Sequence, residues 1–115
     1  MIKTKRIYEK HSSGDGYRIL IDRLWPRGVL KNKAHVDLWL KEIAPTDKLR
    51  KWFSHDPKKW NIFKKKYIKE LSKNKYTVDK IKNLKNEYDT ITLVFAAKDE
   101  QHNNAVVLVE FLDTL

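Results

Sequence analysis

The sequence predicts an α/β domain: a small, mainly parallel or mixed sheet covered by helices in three layers. Three observations predict it. Segments of strand character lie at both ends of the chain, with helical patterns between them. The run Ile91-Thr92-Leu93-Val94-Phe95-Ala96-Ala97 is apolar at nearly every position, as in a strand covered on both faces. A Val- and Leu-rich segment from about Asn103 follows it and reads as a heavily buried helix. At 115 residues the chain is expected to be one compact domain over 1–115, burying roughly two thirds of its unfolded surface.

The elements follow in order. Residues 2–8 and 17–21 read as strands, separated by the polar loop His11-Ser12-Ser13-Gly14-Asp15-Gly16. Val36 to Ile43 fits strand or helix, and Pro45 ends it in either case, because the residue before a proline is driven from the helical region. Thr46 is an N-cap for a short helix carrying Leu49, Trp52 and Phe53 inward. Asp56-Pro57 reads as N-cap and first helical position of the next helix, whose buried face holds Trp60, Phe63, Tyr67, Ile68 and Leu71. Thr77 is expected to cap a further helix, with Val78, Ile81, Leu84 and Tyr88 inward. Trp60, Phe63, Leu71, Leu93, Phe95, Leu108 and Leu112 should then be buried together.

Composition bounds the function. No segment approaches the roughly 20 apolar residues of a membrane span, and the first residues lead into no apolar signal core, so a cytoplasmic protein without membrane association is expected. The absence of Cys excludes disulfides, thiol catalysis and thiolate metal sites. The net charge of +10 is concentrated: residues 48–85 hold 14 Lys and Arg against 3 Asp and Glu, and the rest of the chain is close to neutral. Such a segment is either a solvated helix face or a polyanion surface.

The most specific feature is Asp22-Arg23-Leu24-Trp25-Pro26-Arg27-Gly28, directly after the apolar Ile19-Leu20-Ile21. The chain has 20 Lys but 5 Arg, and Arg18, Arg23 and Arg27 lie in or beside this motif. Arginine offers a planar five-donor fork that lysine cannot mimic. Arg23 and Arg27 are therefore candidates to hold a phosphate or carboxylate, with Trp25 as a stacking plate. The competing reading pairs Asp22 with an arginine, buries Trp25 in the core and uses Pro26 to Gly28 for a turn. If strands 17–21 and 91–97 are parallel, the motif shares a sheet edge with the loop from Lys98 to Asn104, where open α/β sheets place ligands. Lys98 and the following helix N-terminus would attract an anion, with Asp99, His102 and Asn103 beside them; alternatively Asp99 or Asn103 simply caps the helix. Arg23, Trp25 and Arg27 are thus expected to share a concave surface with Lys98. Asp22 and Asp99 are conceivable as an acid/base pair, but no spacing fixes their separation. The histidines His11, His35, His55 and His102 are scattered, and although His35-Val36-Asp37 has the form of one kind of metal pair, no metal site is expected.

The motif, together with Ala44-Pro45-Thr46 before Leu49-Arg50, Phe63-x-x-x-Tyr67-x-x-Glu70-Leu71 and Ala97-Lys98-Asp99, resembles the YeaO-like family of small bacterial and archaeal proteins. The resemblance covers essentially the whole chain. It implies a compact α/β domain and makes the seven-residue motif the family's hallmark; it implies no activity, substrate or cofactor. Family members often carry a His just before the position of Ala105, where this chain has Asn104, which weakens any mechanism that needs a His there. Two function classes follow. One is a site for an anionic small molecule, a nucleotide or a phosphorylated or carboxylated metabolite, with or without catalysis. The other is a module that binds nucleic acid weakly and non-specifically through the Lys-rich helices of 48–85.

Overall fold

A computed structural model describes residues 1–115. Four strands, β1 (Ile2–Arg6), β2 (Tyr17–Leu20), β3 (Leu38–Trp39) and β4 (Ile91–Phe95), form one sheet in the order β1-β4-β2-β3. Every pairing is parallel, with Ile2 opposite Ile91, Tyr17 opposite Ile91 and Ile19 opposite Leu38. β4 is central and buried at all five positions, which its uninterrupted apolar run requires. The helices are α1 (Asp47–Phe53), α2 (Trp60–Lys73), α3 (Lys75–Glu87) and α4 (Asn104–Asp113).

Strand alternation sorts the core onto two faces. Ile19, Ile21, Ile91, Leu93 and Phe95 point to one side and pack with buried residues of all four helices, among them Phe53, Phe63, Tyr67, Ile81 and Leu108. The seven core residues expected from periodicity all belong here, Trp60 as a partly buried neighbour. Leu20 and Val94 point the other way, onto Ile7 and Ala34, with Trp25, Val29, Val36 and Trp39 packed around them. The α/β class and the parallel sheet hold. The layer on this second face is the long loop after β2 rather than a helix.

That loop is pinned by Arg18, which is 1% exposed on β2. Its guanidinium pairs with Asp15 at 2.6 Å and donates to the carbonyls of His35 and Ala34. Gly16 ends the loop before β2 at φ +63, where a Cβ would stand 2.1 Å from the Thr90 carbonyl oxygen. Thr46 caps α1 by accepting from the Leu49 N–H, and Asp56 caps the 3-10 turn Pro57–Lys59 that leads into α2.

Two expectations need correction. Thr77 does not cap α3; the helix starts at Lys75, a single residue after α2 ends, and Thr77 lies buried within it. Tyr88 is not on the inward face, because α3 ends before it and its ring stacks on Tyr17 at 4.3 Å. The ambiguous Val36–Ile43 is both short strand and 3-10 turn, since β3 is followed by the turn Lys41–Ile43.

Candidate functional site

Asp22 leaves the end of β2 beside β4, so the polypeptide delivers it to the carboxyl edge of the two strands. Its Oδ2 accepts from the Ala96 N–H at 2.8 Å and its Oδ1 from the Asn104 amide at 3.1 Å. The same Asn104 nitrogen donates to the Ile21 carbonyl, and Trp39 Nε1 donates to the carbonyl of Asp22. Burial pushes the Asp22 carboxyl above its ordinary range, opposed by these hydrogen bonds and by the charge of His55. Tyr67 lies near enough for Asp22 to raise its phenol further, after burial, and donates to the Ile43 carbonyl at 2.7 Å. His55 and the preceding Ser54, which ends α1, both take left-handed backbone, at φ 56 and 47.

The rest of the motif braces the loop. Arg23 donates through Nε to the Pro45 carbonyl and through Nη2 to the Ala44 carbonyl, each at 3.2 Å, so its fork holds the approach to α1. Trp25 donates to the Val29 carbonyl at 2.7 Å and meets Trp39 edge-on, on the face of the sheet away from α4. Pro26 is buried. Arg27 is exposed, and its carbonyl accepts from the Tyr8 hydroxyl.

Across the edge, Lys98 is likewise exposed, at the start of the loop into α4. Asp99 accepts from the N–H groups of Gln101 and His102 and pairs with the His102 ring at 2.8 Å; these contacts, Gln101 first, hold its carboxyl below the usual range. Asn103 caps α4 by accepting from the Val106 N–H, and His102 lies edge-on to Trp60. The structure therefore brings Asp22 to the first residue of α4 and gathers Asp99, His102 and Asn103 into one capping turn. It turns Trp25 to the opposite face. No three His, Asp or Glu side chains gather into a metal-holding group, and no helix is long and apolar enough to cross a membrane.

A second feature lies between α1 and α2, in a cleft of about 300 Å³. From α1 come Lys48, Leu49 and Trp52; from α2 come Lys66, Lys69, Glu70 and Lys73, with Thr46 at the end. Glu70 is engaged there, accepting from the Thr46 N–H at 2.9 Å and from its hydroxyl at 2.7 Å. Lys66 places its ammonium 4.3 Å from the centre of the Trp52 ring, and Lys59 sits at 5.1 Å. Lys64, by contrast, turns to α4 and pairs with Glu110. No single motif marks this cleft in the sequence, although Lys66, Lys69 and Lys73 have the spacing of one helix face. A wider cavity of about 570 Å³, lined by Tyr17, Tyr88, Asp37 and Asp89, lies at the opposite strand edge and holds none of the candidates.

Residues 1–115 match a family model described as "Inactive DUF488-N3 subclade". The chain belongs to this YeaO-like family. It is 37% identical over 114 residues to the uncharacterised protein YeaO of Escherichia coli K12, covering 99% of this chain and 98% of the relative. It is 31% identical over 112 residues to the uncharacterised Rv3073c of Mycobacterium tuberculosis H37Rv, covering 97% and 93%. No solved structure matches it.

Proposed function

We propose that this protein is a non-catalytic module that holds polyanions, nucleic acid above all, on the basic surface of α1 and α2. One observation carries the reading: four lysines from two helices converge on a single cleft whose one carboxylate is engaged with Thr46. A lysine stripe that served only solubility would have no need to converge from two elements. Affinity would come from released counterions, without sequence preference.

The other reading, an anionic small molecule between the Asp22–Gly28 and Lys98–Asn104 loops, has less support. Arg23 directs Nε and Nη2, and Trp25 its indole N–H, to backbone carbonyls, and Asn103 caps α4 while Asp99 closes the turn before it. What remains for it is Arg27 and Lys98, whose side chains reach solvent, and the Nη1 group of half-buried Arg23.

The test is fluorescence anisotropy with a labelled oligonucleotide over a salt series. Affinity should fall steeply with salt. Lys69→Glu with Lys73→Glu should weaken binding and flatten the slope by about 0.7–0.9 for each phosphate no longer neutralised, while Lys82→Glu with Lys85→Glu on α3 should act less. Binding that survives unchanged at ~0.5 M salt would rule out the counterion mechanism. Equal weakening in both double variants would instead locate no site on α1 and α2.

A further inference from the structure

We propose, building on that reading, that the α1–α2 cleft distinguishes single-stranded from double-stranded nucleic acid by stacking one base on Trp52. Trp25 and Trp39 commit their indole N–H groups to the Val29 and Asp22 carbonyls and pack against each other, so they are fixed parts of the loop layer. Trp52 makes no such bond. It is half-buried at the wall of the cleft, and the groups over its ring are two lysine ammoniums. Lys59 is also held by the Trp52 carbonyl, at 2.9 Å. Lys66 has no second partner, so a flat ring can displace it from the indole at little cost. The displaced ammonium remains beside the ligand and is free to meet its phosphate.

The cleft has the composition that single-strand binders combine: an aromatic plate beside a positively charged track. Lys66, Lys69 and Lys73 lie along one face of α2, and the seven steps from first to last span ~10 Å of helix axis. That distance reaches more than one phosphate of a strand. Lys48, on α1, closes the opposite wall. At about 300 Å³ the space is at the small end of ligand clefts, suited to one base and its sugar. A duplex cannot use it in this way, because its bases are already stacked on one another and show only their edges.

The same geometry predicts which base is chosen, namely none. Reading a base edge needs free hydrogen-bonding side chains. The polar groups here other than lysine are Thr46 and Glu70, which satisfy each other, and the Trp52 indole N–H, which lies in the plane of the plate and does not point at a base stacked on it. Stacking without edge contacts is tolerant of sequence. The ligand class is therefore any single strand, DNA or RNA, with duplexes and base-free polyanions held by charge alone.

The experiment uses the full chain with three probes: a short oligo(dT), a duplex of equal length and inorganic polyphosphate. Affinities are measured by competition of each probe against a labelled oligonucleotide in fluorescence anisotropy, in the wild type, in Trp52→Phe and in Trp52→Ala, and intrinsic tryptophan fluorescence is followed alongside. Oligo(dT) should quench wild-type fluorescence and bind more tightly than the duplex. Trp52→Ala should weaken oligo(dT) about tenfold and leave polyphosphate unchanged, with Trp52→Phe between. If Trp52→Ala fails to fold, the quenching and the Trp52→Phe comparison still decide. Oligo(dT) and duplex binding alike, with no quenching, overturns the stacking proposal and leaves the basic surface standing. Equal weakening of polyphosphate in the Trp52 variants also overturns it, since a probe without bases has nothing to stack. Failure of all three probes to bind at low salt removes both proposals.

Discussion

Replacing Asp15 with asparagine isolates the ion cluster that fastens the loop layer to the sheet. Asp15 is 5% exposed and accepts from Lys5 at 3.0 Å, from the Ser12 N–H at 3.1 Å and from Arg18 at 2.6 Å. Burial acts to raise its pKa, but the hydrogen bonds from Lys5, Ser12 and Arg18 together outweigh it and pull the value from 3.8 down to about 2. A carboxylate depressed in the folded state contributes stability above its unfolded pKa and loses it as pH falls through the folded value. The shift corresponds to ~2 kcal/mol at neutral pH. Asparagine preserves the shape and one acceptor oxygen but deletes the charge, so Arg18, 1% exposed, is left without a counter-charge beside the His35 and Ala34 carbonyls. Breaking a buried pair from one side costs ~3–5 kcal/mol. Because Lys5 retains some access to water, the lower end is expected, ~3 kcal/mol near neutral pH.

Urea denaturation of both proteins, followed by tryptophan fluorescence between about pH 7 and pH 2, supplies the measurement. The wild type protonates Asp15 as pH drops below 3.8 toward about 2, so the gap between the two proteins should narrow over that window. Asparagine has nothing to titrate. A gap under ~1 kcal/mol near neutral pH, or one as large near pH 2 as near pH 7, would refute the assignment of stability to this cluster.

Three further outcomes are expected. Phe95→Ala should cost ~3–5 kcal/mol in chemical denaturation, because Phe95 is 3% exposed in the central strand; a loss below ~1 kcal/mol would contradict the central place of β4. Tyr67→Phe should cost ~1–3 kcal/mol by leaving the Ile43 carbonyl without its buried donor, and an unchanged melting temperature would mean water replaces the hydroxyl. Gly16→Ala should destabilise by well over ~1 kcal/mol, since the methyl would meet the Thr90 carbonyl oxygen at 2.1 Å on a left-handed backbone; a neutral thermal shift would contradict that close approach.

Features written in contiguous residues were legible in the sequence. The apolar run of β4, the Thr46 and Asn103 caps, the Asp56-Pro57 turn and the inner face of α2 each depend on residues a few positions apart, and each is where periodicity and capping put it. Thr77 was misleading because Asn74 alone separates α2 from α3, so the second helix begins before the residue with the better capping side chain. The arginines were illegible for another reason. The partners of Arg18 and Arg23 are mostly backbone carbonyls that any residue supplies, 16 to 22 positions away. Nothing in composition separates a guanidinium bonded to carbonyls from one awaiting a phosphate. Trp25 was ambiguous in the same sense, since its face of the sheet depends on how the chain leaves β2. The α1–α2 cleft requires two helices to meet before its lysines become neighbours.

The motif and the basic cleft are connected by what each leaves free. A proton relay needs a partner that exchanges a proton near the working pH. The amide of Asn104 does not. Its single nitrogen donates at 3.1 Å both to Ile21 and to Asp22, while the Ala96 N–H occupies the other carboxylate oxygen. Asp22 thereby ties β2, β4 and α4 together, and through its carbonyl it also holds Trp39 of β3. Arg23 next to it fastens the Ala44 and Pro45 carbonyls just before α1. That fastening sets the start of α1, where Thr46 meets Glu70 of α2. The motif residues thus act at a distance on the proposed cleft: Arg23 positions one end of α1, Thr46 and Glu70 lock that end to α2, and Trp52 and Lys48 are carried into register with Lys66, Lys69 and Lys73. In this reading the sheet edge is a scaffold, and the charge that meets a ligand belongs to lysines left outside its hydrogen bonds.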